Sequence, residues 1–186
     1  MKNFSIFEQA LNFAQSLPAE DLGSVAYVSR RDFDERRTFH FRAQVPCLEY
    51  LSLLIENALL LKVNRTGRVY AGFEKLSQLE AIADRYLRIA DLSERLYIFG
   101  EVDWKPPRHP NMKVVAMPPD SKLGREWFVI SDSPTLRVAL VAFDESAPGS
   151  PMTEDRTFRA LKSSDAHIVT HLSSIAEELI DSSLVI

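Results

Sequence analysis

Apolar positions recur at helical spacing in four stretches of the chain and alternate at strand spacing between them. Phe7, Ala10, Leu11 and Ala14 mark the first helix. Ser5 and Glu8 stand ahead of it in capping-box spacing, and Pro18 stops it one residue after Leu17. Over residues 47–62, Leu48, Leu51, Leu54, Ile55, Ala58 and Leu59 cover so much of the circumference that the helix is expected to be largely buried. Its polar residues Glu49, Ser52 and Glu56 share one narrow stripe at i, i+3, i+7. A third helix carries Leu79, Ile82, Ala83, Tyr86 and Ala90 behind a second capping-box pattern, Ser77 and Glu80. The fourth carries Ile168, Leu172, Ile175, Ala176 and Leu179 behind Asp165 as its cap.

Strand patterns fall at residues 24–29, 39–43, 68–74, 95–100, 113–117, 127–131, 137–144 and 157–162. In the second of these Phe39, Phe41 and Ala43 alternate with His40 and Arg42, which gives one buried face. Residues 64–67 read as a turn and 146–151 as a loop with two prolines and a glycine. The short turn at 132–135 predicts a hairpin, and the helix between 68–74 and 95–100 predicts a βαβ unit with a parallel pair. Residues 30–37 mix Arg30, Arg31, Arg36 and Arg37 with Asp32, Asp34 and Glu35, a charge-balanced loop or hairpin. Residues 101–111 hold Trp104 among Pro106, Pro107 and Pro110, so they are irregular and suit a functional loop. No repeat or long linker interrupts the pattern. It predicts a single α/β domain with a mixed central β-sheet and flanking helices, residues 1–23 forming an N-terminal helical segment and 24–186 the core.

Composition narrows the function classes. Of 186 residues, 46% are hydrophobic and 26% charged, enough for a sizeable core. A net charge of -4 supplies no field to attract nucleic acid or an anionic membrane, and neither is expected as a partner. No apolar run approaches the ~20 residues that span a bilayer, and the first residues carry no secretory core. A single cysteine, Cys47, cannot form an internal disulfide, which fits a reducing compartment; a cytoplasmic location is expected. Following Pro46 at a helix start, Cys47 reads as a small buried apolar residue.

Catalytic signatures are missing. The chain has no phosphate-binding glycine loop, no dinucleotide fingerprint, no Gly-x-Ser-x-Gly elbow and no cysteine pair for zinc. His167 and His171 stand at i, i+4 but flank the apolar stripe with Ser174 and Glu178, a solvated face. No catalytic residue, metal site or cofactor is therefore assigned. Glu56 has two readings: a ligand-facing acid, or a position that reaches solvent or pairs with an arginine. In open α/β sheets ligands gather outside the carboxyl ends of strands. That rule points to a rim of Gly72, Phe73, Glu74 and Lys75 on one strand and Glu101, Asp103 and Trp104 after the next, with Arg125 and Trp127 nearby. Gly72 would allow close backbone approach, Lys75 or Arg125 could meet an anion, and the tryptophans suit a pocket or a partner surface.

Several ordered motifs resemble one family. They are Tyr70-Ala71-Gly72-Phe73-Glu74-Lys75-Leu76-Ser77, Asp84-Arg85-Tyr86, Tyr97-Ile98-Phe99-Gly100, Pro118-Pro119, Arg125-Glu126-Trp127-Phe128 and Ala142-Phe143-Asp144. Together with Phe158 to Asp165, they resemble the DICT sensory family of diguanylate cyclases and two-component systems, from about residue 24 onward. Pro46-Cys47-Leu48-Glu49-Tyr50 and Ser52 to Asn57 look like its cyanobacterial branch. The resemblance implies an input role in bacterial signalling, with a connection to light response, and brings no established ligand or catalytic residue. Neither a Gly-Gly-Asp/Glu-Glu-Phe nor a Glu-Ala-Leu output signature occurs in these residues. The expectation is a non-catalytic sensory domain that binds a small ligand or a partner protein. It would relay its signal in trans to a cyclase, phosphodiesterase, histidine kinase or response regulator. Two alternatives stay open: an interaction or homodimerisation module without a small ligand, and an enzyme of unrecognised type.

Overall fold

Alternating burial along the strands decides the architecture, because both faces of the sheet are apolar and both are covered. The computed structural model describes residues 3–61, 66–147, 150–151 and 153–186. Its elements in chain order are α1 (Ile6–Ala14), β1 (Glu20–Ser24), α2 (Arg30–Glu35), β2 (Thr38–Gln44), α3 (Val45–Leu60) and β3 (Arg68–Lys75). A 3-10 turn (Leu76–Ile82) follows, then α4 (Ala83–Asp91), β4 (Arg95–Glu101), β5 (Met112–Ala116), β6 (Glu126–Ser133) and β7 (Leu136–Asp144). The last elements are β8 (Thr157–Ser163), α5 (Ala166–Asp181) and β9 (Leu184–Val185).

Among the described residues the nine strands form one sheet in the order β1-β2-β8-β7-β6-β3-β4-β5-β9. β3, β4 and β5 run parallel, β1 runs parallel to β2, and the remaining pairings are antiparallel. The β3–β4 unit is the expected parallel pair, and β6 and β7 form the expected hairpin, closed at Ser133 opposite Leu136. This is one α/β domain with a mixed sheet. The helices form two layers. α2, α3 and α4 cover one face, over Val69, Ala71, Leu96, Ile98, Val129 and Leu140. α1 and α5 cover the other, over Tyr70, Phe99, Phe128, Ile130, Val141 and Leu161. Each fully buried Leu, Ile or Phe in these layers contributes about 1.5–3 kcal/mol relative to exposure.

Four local expectations change. The strand expected at 24–29 lies earlier, at Glu20–Ser24, as a polar edge strand with only Leu22 half-buried. The charge-mixed stretch forms α2: Ser29 caps it by accepting from Asp32 N, and Arg30–Asp34 and Arg31–Glu35 pair at i, i+4 on its exposed face. The Ser77–Glu80 capping box does not form, because Asp103 takes Ser77 instead, accepting from its backbone N at 2.9 Å and its Oγ at 2.6 Å. The first helix ends at Ala14, three residues short of Leu17, and its box is half made: Ser5 Oγ accepts from Glu8 N at 3.0 Å, while Glu8 pairs with Lys122. The turn expected at 64–67 and the loop at 146–151 lie partly outside the described residues.

One buried cation anchors α2. Lys162 on β8 is almost fully buried; its Nζ donates to the carbonyl of Arg36 at 2.5 Å and lies over the rings of Phe33 and Phe39. The amine thus neutralises the carboxyl end of α2, and burial pushes it down to about 8.

Candidate functional site

At the carboxyl ends of β3 and β7 the helix layer stands away from the sheet. β2 runs directly into α3 there, with Pro46 in the first turn where its missing N–H leaves nothing unpaired. The 3-10 turn and α4 leave β3 at the same end. Between α3, α4 and the strands is a cavity of about 580 Å³. Trp127, Val129, Phe158, Phe73, Tyr86 and Leu53 give it mainly apolar walls. Trp127 meets Phe158 edge-to-face at 6.0 Å, and its Nε1 donates to Ser52 Oγ at 2.9 Å, fixing the indole against α3.

The polar stripe of α3 faces this space: Glu49, Ser52 and Glu56 all border it. Glu56 is buried, with Oε1 accepting from Arg85 Nη1 at 2.7 Å and Oε2 from Tyr86 Oη at 2.7 Å. The pairing reading of Glu56 is the one its contacts match, since Arg85 holds it, and the residue also borders the cavity. Burial pushes its carboxyl above the ordinary range, against the two donors that pull it down. The buried Tyr86 hydroxyl is pushed up by burial and by the carboxylate beside it.

A second array closes the strand end. Arg156 is buried and holds Glu74 through Nη1 at 3.0 Å and Asp144 through Nη2 at 2.5 Å. Arg125 packs over Phe143, 5.1 Å from the ring centroid, and its Nη2 donates to the carbonyls of Asp144 and Ser146. Glu126, the first residue of β6, serves the other face. Its carboxylate accepts from Ser5 Oγ, Ile6 N and Phe7 N at the start of α1, and burial pushes it up to about 7.

Of the nine rim residues expected from the strand ends, five border the cavity: Gly72, Phe73, Glu74, Arg125 and Trp127. Lys75, Glu101, Asp103 and Trp104 are not in its lining. Lys75 and Glu101 face each other in register on β3 and β4, and Trp104 packs half-buried against the core. Gly72 has a packing role: a Cβ there would stand 2.2 Å from the Phe128 ring, so the ring fills the place of the side chain. Arg125 gives its Nη2 to backbone carbonyls while its buried Nε has no acceptor among the described residues, and Lys75 is exposed outside the cavity lining. Missed by the sequence reading were Arg85, Tyr86 and Arg156; a buried carboxylate at Glu56 called for a cation, but nothing local said which. Outside the site, His167 is exposed and His171 stacks on Phe13, while Cys47 is buried and its thiol is pushed up by burial. Among the described residues no helix is long and apolar enough to cross a membrane.

The three-layered α/β fold with its cavity at the strand ends is covered over more than half its length by a family model. Residues 46–145 match the DICT family, the sensory domain in diguanylate cyclases and two-component systems, and the chain belongs to that family. It is thus a sensory domain of signalling proteins, and the matched span contains α3, β3, α4 and β6, four elements that wall the cavity. No curated protein matches the chain. Among solved structures it is similar to TrmBL2, an archaeal chromatin protein with a novel mode of DNA binding, at 10% identity and a TM-score of 0.51. The likeness covers 95% of this chain and 59% of that one, and at such identity it shows the fold alone.

Proposed function

We propose that the domain is a ligand-responsive sensor that binds a small organic molecule between α3, α4 and the sheet and relays occupancy to a separate signalling protein in the cytoplasm. The observation that carries this reading is the cavity. Its volume of about 580 Å³ falls in the range of small-molecule sites, about 300–1,000 Å³. Mainly apolar walls with a few placed polar groups are also the usual composition of such sites. Three of the ionised groups around it, Glu56, Glu74 and Asp144, are already paired with arginines, which favours binding over turnover.

The same geometry supports a relay. Glu56 and Arg85 bridge α3 and α4 along the cavity wall, so a molecule seated there acts on the relative position of two helices. A ligand that prefers one arrangement shifts the population toward it. The receiver would be a cyclase, phosphodiesterase, histidine kinase or response regulator acting in trans.

Native mass spectrometry of the gently purified chain tests the reading, with Leu53→Trp as the blocked control. Leu53 is half-buried on the cavity wall, so a larger ring there fills space at little cost to the core. A small molecule retained by the wild type and missing from Leu53→Trp supports the proposal. An equal retained mass in both proteins, or a fragment library that stabilises neither, refutes it.

A further inference from the structure

We infer that the cavity selects an organic cation, an aromatic or alkyl ammonium, over a neutral or anionic molecule of the same shape. This rests on the cavity being a ligand site, and three features of its walls support it.

The first is the stripe on α3. It carries a carboxylate at each end, the exposed Glu49 and the buried Glu56, with Ser52 between them. The second is the aromatic share of the lining, Trp127, Tyr86, Phe73 and Tyr50, whose ring faces attract cations and whose apolar surroundings strengthen that attraction. The third is the state of the guanidinium groups. Arg85 is held by Glu56, Arg125 by two carbonyls and the Phe143 ring, and Arg156 serves two carboxylates at once. Among the described residues Glu49 has no ion-pair partner. An anionic ligand would have to strip Arg85 or Arg156 from a carboxylate; the buried Arg125 Nε has no acceptor among the described residues, but the lining there also carries the carboxylates of Glu49, Glu56, Glu74 and Asp144, in a poorly screened space. An ammonium meets an acid already in place.

Calorimetric titration with shape-matched triads tests this: phenethylamine, tryptamine and 2-(1-naphthyl)ethylamine, each beside its carboxamide and carboxylate counterparts. The proteins are the wild type, Glu49→Gln and Leu53→Trp. Glu49 is exposed, so its substitution leaves the fold intact. In at least one triad the ammonium should bind about tenfold tighter than the carboxylate, a difference of one decade in Kd. The preference should narrow about threefold in Glu49→Gln and on raising salt from about 50 to about 300 mM, as expected for a partly exposed charge. Leu53→Trp should abolish binding. If the amide or carboxylate binds as well as the ammonium and Leu53→Trp still blocks it, the charge selectivity is overturned while the cavity reading stands. Ammonium binding that Leu53→Trp leaves unchanged is surface attraction and overturns the inference. Should no member of any triad bind, the inference and the cavity reading fail together.

Discussion

Glu56 on α3 and Arg85 on α4 meet at 2.7 Å although 29 residues separate them, with the carboxylate 4% and the guanidinium 34% exposed. The asymmetry sets what each contributes. Arg85 can regain water if the pair breaks, whereas Glu56 cannot. In Arg85→Met the carboxylate keeps only the Tyr86 hydroxyl, and its pKa, already raised by burial, rises further. A raised acid makes the fold lose stability as pH climbs through the window above its ordinary value. Arg85→Met should therefore cost about 2 kcal/mol near neutrality, below the range for fully buried pairs, and clearly less near pH 4.5. Urea unfolding at both pH values measures the difference; an equal cost at both would show that Glu56 does not carry it.

That pair also marks how far the sequence could be read. The periodicity of 47–62 and of the stripe from Ile168 to Leu179, the hairpin turn at 132–135 and the parallel β3–β4 unit were legible because apolar spacing and local turn residues determine them. So was the polar stripe Glu49–Ser52–Glu56, although not that it faces a cavity. Partners that lie far apart in the chain were not legible: Arg85 for Glu56, and Arg156 for a Glu74 that lies 82 residues earlier. α2 was hidden for another reason. Its charges conceal the apolar signal, which is the single buried Phe33, yet the i, i+4 alternation of sign after Ser29 was itself a helix signature. β1 is a polar edge strand and has no buried face to show. Trp104 drew attention by its proline-rich loop, but the hydrogen bonds of Asp103 to Ser77 tie that loop down where the indole packs on the core.

Gly72 should prove a packing residue. Its missing side chain is replaced by the Phe128 ring on the α1–α5 face. Gly72→Ala should cost about 2–3 kcal/mol, the usual range for overpacking. Adding Phe128→Leu should recover part of that loss, so a double-mutant cycle should give a coupling of at least about 1 kcal/mol. Additive losses would mean that the two positions do not share the space.

Lys162 should give the alkaline side of the stability curve an upward slope. Burial pushes its amine from 10.5 to about 8. Between these values the unfolded chain holds a proton that the fold has released, so raising the pH favours the fold. Tyr70 and Tyr86, held neutral by burial, act in the opposite sense near and above their ordinary range, so the comparison belongs between about pH 8 and 9.5. Relative to Lys162→Met, the wild type should gain on the order of 1–2 kcal/mol across that window. Parallel curves for the two proteins would show that the amine stays charged in place, held by the Arg36 carbonyl.

Glu126 should shape the acidic side, and the sign there depends on which of two effects wins. Three donors at the start of α1 favour its anion: Ser5 Oγ, Ile6 N at 3.0 Å and Phe7 N at 3.1 Å. Burial favours the neutral acid, with Glu8 acting in the same sense, and burial is the largest effect, taking the carboxyl from 4.5 to about 7. Between those values the fold keeps a proton that the unfolded chain has lost, so stability falls as pH rises, by at most about 3 kcal/mol. Glu126→Gln removes that slope. Its amide presents N–H groups to helix donors, so the variant should start about 1–2 kcal/mol less stable near pH 5. The gap to wild type should then narrow toward pH 7.5, as read from urea midpoints. A gap that widens instead would mean that the helix start holds the carboxylate as an anion more strongly than burial opposes it.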